Sequence, residues 1–180
     1  SLFLHNGAFM AKAMPTLDIC KEHYASLGFL ESLLARIGDL GVIQGDFSAF
    51  SLEVLANDNP SMQKLNLQTR GKDSATDVLS FPLHYDDICF QNICADSANL
   101  SKNAMGLCLG SVVINVELAQ SVAQRLGHST QDEIALLFIH GFLHILGYDH
   151  EVDNGEQRAL EQKIIESLDL GESLIVRESI

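Results

Sequence analysis

Phe50-Ser51-Leu52-Glu53-Val54-Leu55 alternates with period two, the pattern of a strand with one face on a core. Upstream, Leu27, Leu30, Leu34 and Ile37 recur at helical spacing and predict a helix over residues 22–37, with a short strand before it in Pro15 to Cys20. Asn59-Pro60 offers a cap and a first-turn proline for a helix running through Leu65 and Leu67. Val78-Leu79-Ser80-Phe81 predicts a strand stopped by Pro82. Residues 84–105 show no clear period and read as a long surface excursion. Cys108 to Ile114 is apolar enough for a central strand. Asn115 then caps a helix from Val116 to Leu126, which Gly127 ends. Thr130 and Glu133 form a capping-box pattern for the next helix, whose inner face carries Ile134, Leu137, Phe138, Gly141 and Ile145. A last helix is expected over Asn154 to Leu168, with Leu160, Ile164, Ile165 and Leu168 inward. This order predicts an α/β (α+β) fold, a mixed and mostly parallel sheet flanked by helices.

The 180 residues fit one domain, 1–180, large enough to bury a core without staples. With 47% hydrophobic and 19% charged residues the chain has the balance of a compact soluble protein, and no stretch approaches the ~20 apolar residues of a membrane span. The opening Ser1-Leu2-Phe3-Leu4-His5 lacks a basic stretch and does not read as a secretory signal. Cys89 and Cys94 have a weak zinc spacing with no second pair, so all four cysteines are expected as reduced thiols, which favours a cytoplasmic location. The net charge of −13 sets small substrates or basic partners against nucleic acid. An RNA site on such a body must be a small positive patch, aided by any bound cation.

The chemistry concentrates in His140-Gly141-Phe142-Leu143-His144-Ile145-Leu146-Gly147-Tyr148-Asp149-His150. At ~100° per residue, His140 and His144 stand one turn apart on one helix face. Gly147 can end the helix in a left-handed conformation and let the chain fold back, bringing His150 to the same point. A lone histidine on a half-apolar helix is ordinarily a hydrogen-bonded core residue. Three at this spacing, with glycine at the turn, predict a metal site with His140, His144 and His150 as ligands and an open fourth position. Zinc suits three imidazoles, as do other divalent transition metals.

The spacing matches the metzincin protease pattern except that Gly141 stands where the protease has its general-base glutamate. No methionine for a Met-turn follows in residues 151–165. A bound zinc would still make hydroxide available near neutral pH. With a phosphodiester as substrate, the further need is charge stabilisation, which a planar guanidinium meets. Arg70, expected on a loop before a strand, is the candidate; taken alone, Arg70 and Lys72 read as a solvated pair. Ser80 or Asp149 could orient a ligating ring, whereas Asp149 also reads as a turn residue and Thr76, Asp77 and Ser80 as a loop-to-strand turn.

Leu65-Asn66-Leu67-Gln68-Thr69-Arg70, Thr76-Asp77-Val78-Leu79-Ser80-Phe81-Pro82, Leu109-Gly110-Ser111-Val112-Val113-Ile114 and His140 through His150 follow one another in an order that resembles the YbeY family of bacterial metal-dependent endoribonucleases, the rRNA maturation factors. The resemblance covers residues 50 to 168, the core of the expected domain. It implies a zincin-like, metalloprotease-like α/β fold and one zinc-type ion on His140, His144 and His150, and it maps the family's important arginine to Arg70. It also implies cleavage of single-stranded RNA, 3′-end maturation of small-subunit ribosomal RNA, a part in ribosome quality control, and partners in the small subunit or its assembly proteins. One departure is Ser111, where the family usually carries Asp. Two other readings stay open: a metal hydrolase acting on peptides or small molecules, and a non-enzymatic ribosome-assembly protein with a structural metal.

Overall fold

The computed structural model describes residues 14–83 and 107–170. Thr16–Asp18 (β1) leads through a short helix, Tyr24–Leu27 (α1), into Leu30–Asp39 (α2). Phe50–Asn57 (β2), Asn59–Arg70 (α3), Val78–Pro82 (β3) and Leu107–Asn115 (β4) follow, then the helices Val116–Leu126 (α4), Thr130–Ile145 (α5) and Glu156–Leu168 (α6). The sheet has the order β1-β2-β4-β3. β1, β2 and β4 run parallel, and β3 is antiparallel to β4, so the sheet is mixed and the fold α/β.

Alternation along the strands divides the core between two faces. Leu52 and Val54 of β2, with Leu109, Val112 and Ile114 of β4, join one cluster with α2, α5 and α6. Val113 of β4 and Leu79 of β3 face Met62 of α3 in a smaller cluster on the other side. Helix α5 packs on β3 and β4 and also touches α2, α4 and α6. Almost its whole circumference is buried, and the Phe138 and Phe142 rings stack 5.8 Å apart. Each such large side chain contributes ~1.5–3 kcal/mol on burial, far above the ~1 kcal/mol span of helix propensities, so packing fixes where α5 lies.

Gly141 shows the same balance. As alanine it would favour the helix by ~1 kcal/mol. A Cβ there, however, would lie 2.8 Å from Val112 Cγ1, 3.1 Å from Ser80 Oγ and 3.3 Å from Val78 Cγ2, so glycine sets the approach of α5 to β3 and β4. Overpacking a tight core costs ~1–3 kcal/mol. Gly141→Ala is therefore expected to lose about 1 kcal/mol net in urea unfolding, a mid-range overpacking cost of ~2 kcal/mol less the ~1 kcal/mol helix gain. A stability equal to the parent's would mean that the contact relaxes freely.

Several boundaries differ from the sequence expectation. The helix expected over 22–37 is two, parted at Gly28 and Phe29; Gly28 is a weak helix former, and both Leu27 and Leu30 remain buried across the break. Helix α3 is capped by Asp58, which accepts from the Ser61 N–H, and it extends to Arg70 because left-handed Gly71 ends it. Arg70 is thus a last-turn helical residue rather than a loop residue. Ser129, not Thr130, caps α5, and Glu133 bonds His128 Nε2 at 2.7 Å instead of closing a capping box. Helix α6 begins at Glu156, two residues late; Asp153 accepts with one carboxylate oxygen from the Gly155 N–H before the helix and with the other from the Gln157 N–H in its first turn. Those donors, Gln157 first, hold the Asp153 carboxyl below its usual range. Asn115 behaves as expected, accepting from the Leu118 N–H, and also ties α4 to Asn59 Oδ1 and to the Thr76 carbonyl. The 84–105 excursion, with Cys89 and Cys94, lies outside the described residues.

Candidate metal centre and its cleft

The C-terminal end of α5 builds the centre. Gly147 sits at φ +93°; its N–H bonds the His144 carbonyl and the Tyr148 N–H the Leu143 carbonyl, the paired closure of a Schellman cap. The chain reverses there and carries His150 back to the helix. The centroids of the His140, His144 and His150 rings lie 4.7, 5.3 and 5.4 Å apart, and one ring nitrogen from each falls within 4.8 Å of the others.

Each ring is held differently. His140 is buried, and its Nδ1 meets Glu161 Oε2 at 3.0 Å. A carboxylate only accepts, so Nδ1 carries the proton and Nε2 keeps its lone pair. That Nε2 lies 3.2 Å from His144 Nε2. Burial, then the neighbouring His140 and His150, push His144 down to about 4, leaving a neutral imidazole at pH 7. The His150 backbone N–H donates to Gln157 Oε1 at 2.9 Å, and His150 Nδ1 is buried without a partner.

The donor set fits a metal ion. Zn–N bonds of ~2.0–2.1 Å at tetrahedral angles place two nitrogens about 3.3–3.4 Å apart, close to the His140–His144 spacing. A second cluster, Cys20, Glu22 and His23, fails the same test. His23 Nδ1 accepts the Ala56 N–H at 3.2 Å, so the proton sits on Nε2 and no ring lone pair is left for a cation.

The three histidines open onto a cleft of about 500 Å³, lined across from them by Arg70, Thr76, Asp77, Ser80 and Pro82. Arg70 is the one Lys or Arg among its lining residues, and its guanidinium forms no ion pair with any described residue. The structure thus brings Arg70 and the three histidines together around one space. The two residues considered for orienting a ring do other work: Ser80 Oγ donates to the Gly141 carbonyl at 3.2 Å, and Asp149 Oδ1 accepts from the Glu151 N–H in the turn. Asp77 Oδ1 likewise accepts from the Val78 N–H, closing the loop-to-strand turn expected there. Ser111 Oγ donates to Glu53 on β2, so a carboxylate stands beside β4 at the position of that departure. Glu161 and Gln157, which hold the histidines, were not singled out in the sequence. Their spacing on the stripe of Ile164, Ile165 and Leu168 was the available signal.

A protein-family model described as endoribonuclease YbeY matches residues 29–169. The chain belongs to the YbeY family. The match begins about twenty residues before the motif-bearing core. The chain is 62% identical over 166 residues to the endoribonuclease YbeY of Helicobacter hepaticus, covering 92% of this chain and 98% of that one. It is 45% identical over 149 residues to the endoribonuclease YbeY of Campylobacter jejuni, covering 83% and 91%. A solution structure from Thermotoga maritima, 23% identical, superposes with a TM-score of 0.54 over 86% of this chain and 89% of that one, a likeness of fold. No helix among the described residues is long and apolar enough to cross a membrane.

Proposed function

We propose that this YbeY-family chain is a metal-dependent endoribonuclease specific for single-stranded RNA, with His140, His144 and His150 as metal ligands and Arg70 as the phosphate-binding residue. The observation that carries this reading is the shared cleft: Arg70, about seventy positions away in sequence, lines the same open space as the three histidines. Zinc is the ion that the all-imidazole set favours. When bound, such an ion supplies Lewis acidity at the scissile phosphate and a nucleophile near neutral pH.

The chain's own groups do the rest. Arg70 offers a planar two-pronged donor to the non-bridging oxygens, where negative charge grows toward the transition state. Neutral His144 keeps its lone pair for the ion. Gly141, pressed against Val112, leaves no room for a protease-type carboxylate at that position, which weighs against peptide hydrolysis. In an acidic body of net charge −13, RNA is drawn to this locus rather than to the general surface, and a flexible single strand can bend its backbone into a narrow cleft. The family relationship further supports a role in rRNA processing, 3′-end maturation of small-subunit rRNA and ribosome quality control, with small-subunit or assembly proteins as partners in the cytoplasm.

The test uses purified protein and a labelled single-stranded RNA oligonucleotide. Cleavage is expected with the metal-loaded protein, to disappear after chelation and to return on adding zinc. A matching duplex is expected to stay intact. Undiminished cleavage by protein shown to be free of metal would refute the mechanism.

A further inference from the structure

The polar interior of α6 has a part in the centre beyond packing. Gln157 and Glu161 stand one helical turn apart on the buried stripe of this helix, and both side chains are fully enclosed. Gln157 holds the backbone of His150, and Glu161 holds the ring of His140. Two of the three candidate ligands, one on α5 and one on the loop beyond it, are therefore braced by one turn of a third segment.

We propose that Glu161 is a positioning residue that locks His140 in the Nδ1–H tautomer and aims its bare Nε2 at the point where the three rings meet. The inference rests on the metal reading given above. A carboxylate removed from water is unfavourable unless donors satisfy it, and the His140 Nδ1–H at 3.0 Å is one of them. The same bond excludes the other tautomer, in which a proton on Nε2 would block the lone pair a cation needs. It also fixes the ring plane and makes the imidazole a stronger donor to the ion. A glutamate that merely fastened α6 to α5 would affect stability and leave both the tautomer and the metal affinity as they are.

The test measures zinc affinity by competition with a chromophoric chelator, and the His140 tautomer by ¹⁵N chemical shifts in the metal-free protein. Wild type is expected to show His140 protonated at Nδ1. Glu161→Ala is expected to bind zinc about 10–100-fold more weakly. Glu161→Gln, whose amide oxygen can still accept from Nδ1–H, is expected to recover most of that loss. A folded Glu161→Ala variant with parental zinc affinity, or a wild-type His140 protonated at Nε2, would overturn the proposal. Should Glu161→Ala not fold, the wild-type tautomer and the Gln variant decide the question. Wild-type protein that binds no zinc at the histidines would instead strike at the metal reading itself, and the tautomer would still report on Glu161.

Discussion

His144→Ala is expected to remove bound metal and RNA cleavage together, with the cleavage rate falling by at least ~10³. Two imidazoles would remain where three now meet, and the ring at 3.2 Å from His140 Nε2 would be gone. The ion's contributions of charge stabilisation and a ready nucleophile are worth several kcal/mol, and each ~1.4 kcal/mol is tenfold in rate. The fold should survive. His144 lies at the end of α5, where it is only partly buried, while Phe138, Phe142 and the aliphatic residues of that helix carry the packing. Metal analysis, circular dichroism and a gel assay on one preparation separate the outcomes. A folded, metal-free variant that still cleaved at the parental rate would end the hydrolytic account. One that kept its metal but lost cleavage would move His144 from ligand to another role.

Local rules made the frame and the ligand motif legible. The period-two run of β2, the cap at Asn115, the stop at Gly127 and the reversal at Gly147 each follow from chemistry within a few residues, and the structure has all four. Where two neighbouring residues compete for one local job, the sequence left the answer open. Ser129 and Thr130 can both cap α5, and Asp153 and Asn154 can both precede α6, where it is Asp153 that accepts the first-turn N–H of Gln157. Tertiary relations were illegible for a different reason. The order β1-β2-β4-β3 pairs strands far apart in sequence, and no local periodicity records which strand lies beside which. Arg70 looked like a solvated charge because what distinguishes it is the cleft it faces, which β3 and the loop before it complete. Glu161 and Gln157 carry no local mark of their role, because charged and amide side chains on a helix are ordinarily outward. Only the folded chain shows that the inward stripe includes them.

Arg70→Ala is expected to leave zinc binding intact and to slow RNA cleavage by about 10²–10³, the usual effect of deleting one donor aimed at a developing oxyanion. Metal binding should be indifferent because Arg70 comes from α3 and is not one of the three residues whose ring nitrogens converge. Its fold should be indifferent as well, since the side chain is exposed and left-handed Gly71 ends the helix whichever residue precedes it. The effect on cleavage should be large because Arg70 is the one permanent cation among the residues lining the cleft, on a chain of net charge −13. Arg70→Lys separates charge from geometry. An ammonium supplies the positive charge but not the planar fork, so partial recovery is expected rather than the parental rate. Full recovery by lysine would mean that Arg70 acts as a point charge that draws RNA in, and raising the salt concentration should then weaken parent and variant alike. Unaltered turnover in the alanine variant would return Arg70 to the solvated surface and leave the phosphate to the metal centre alone.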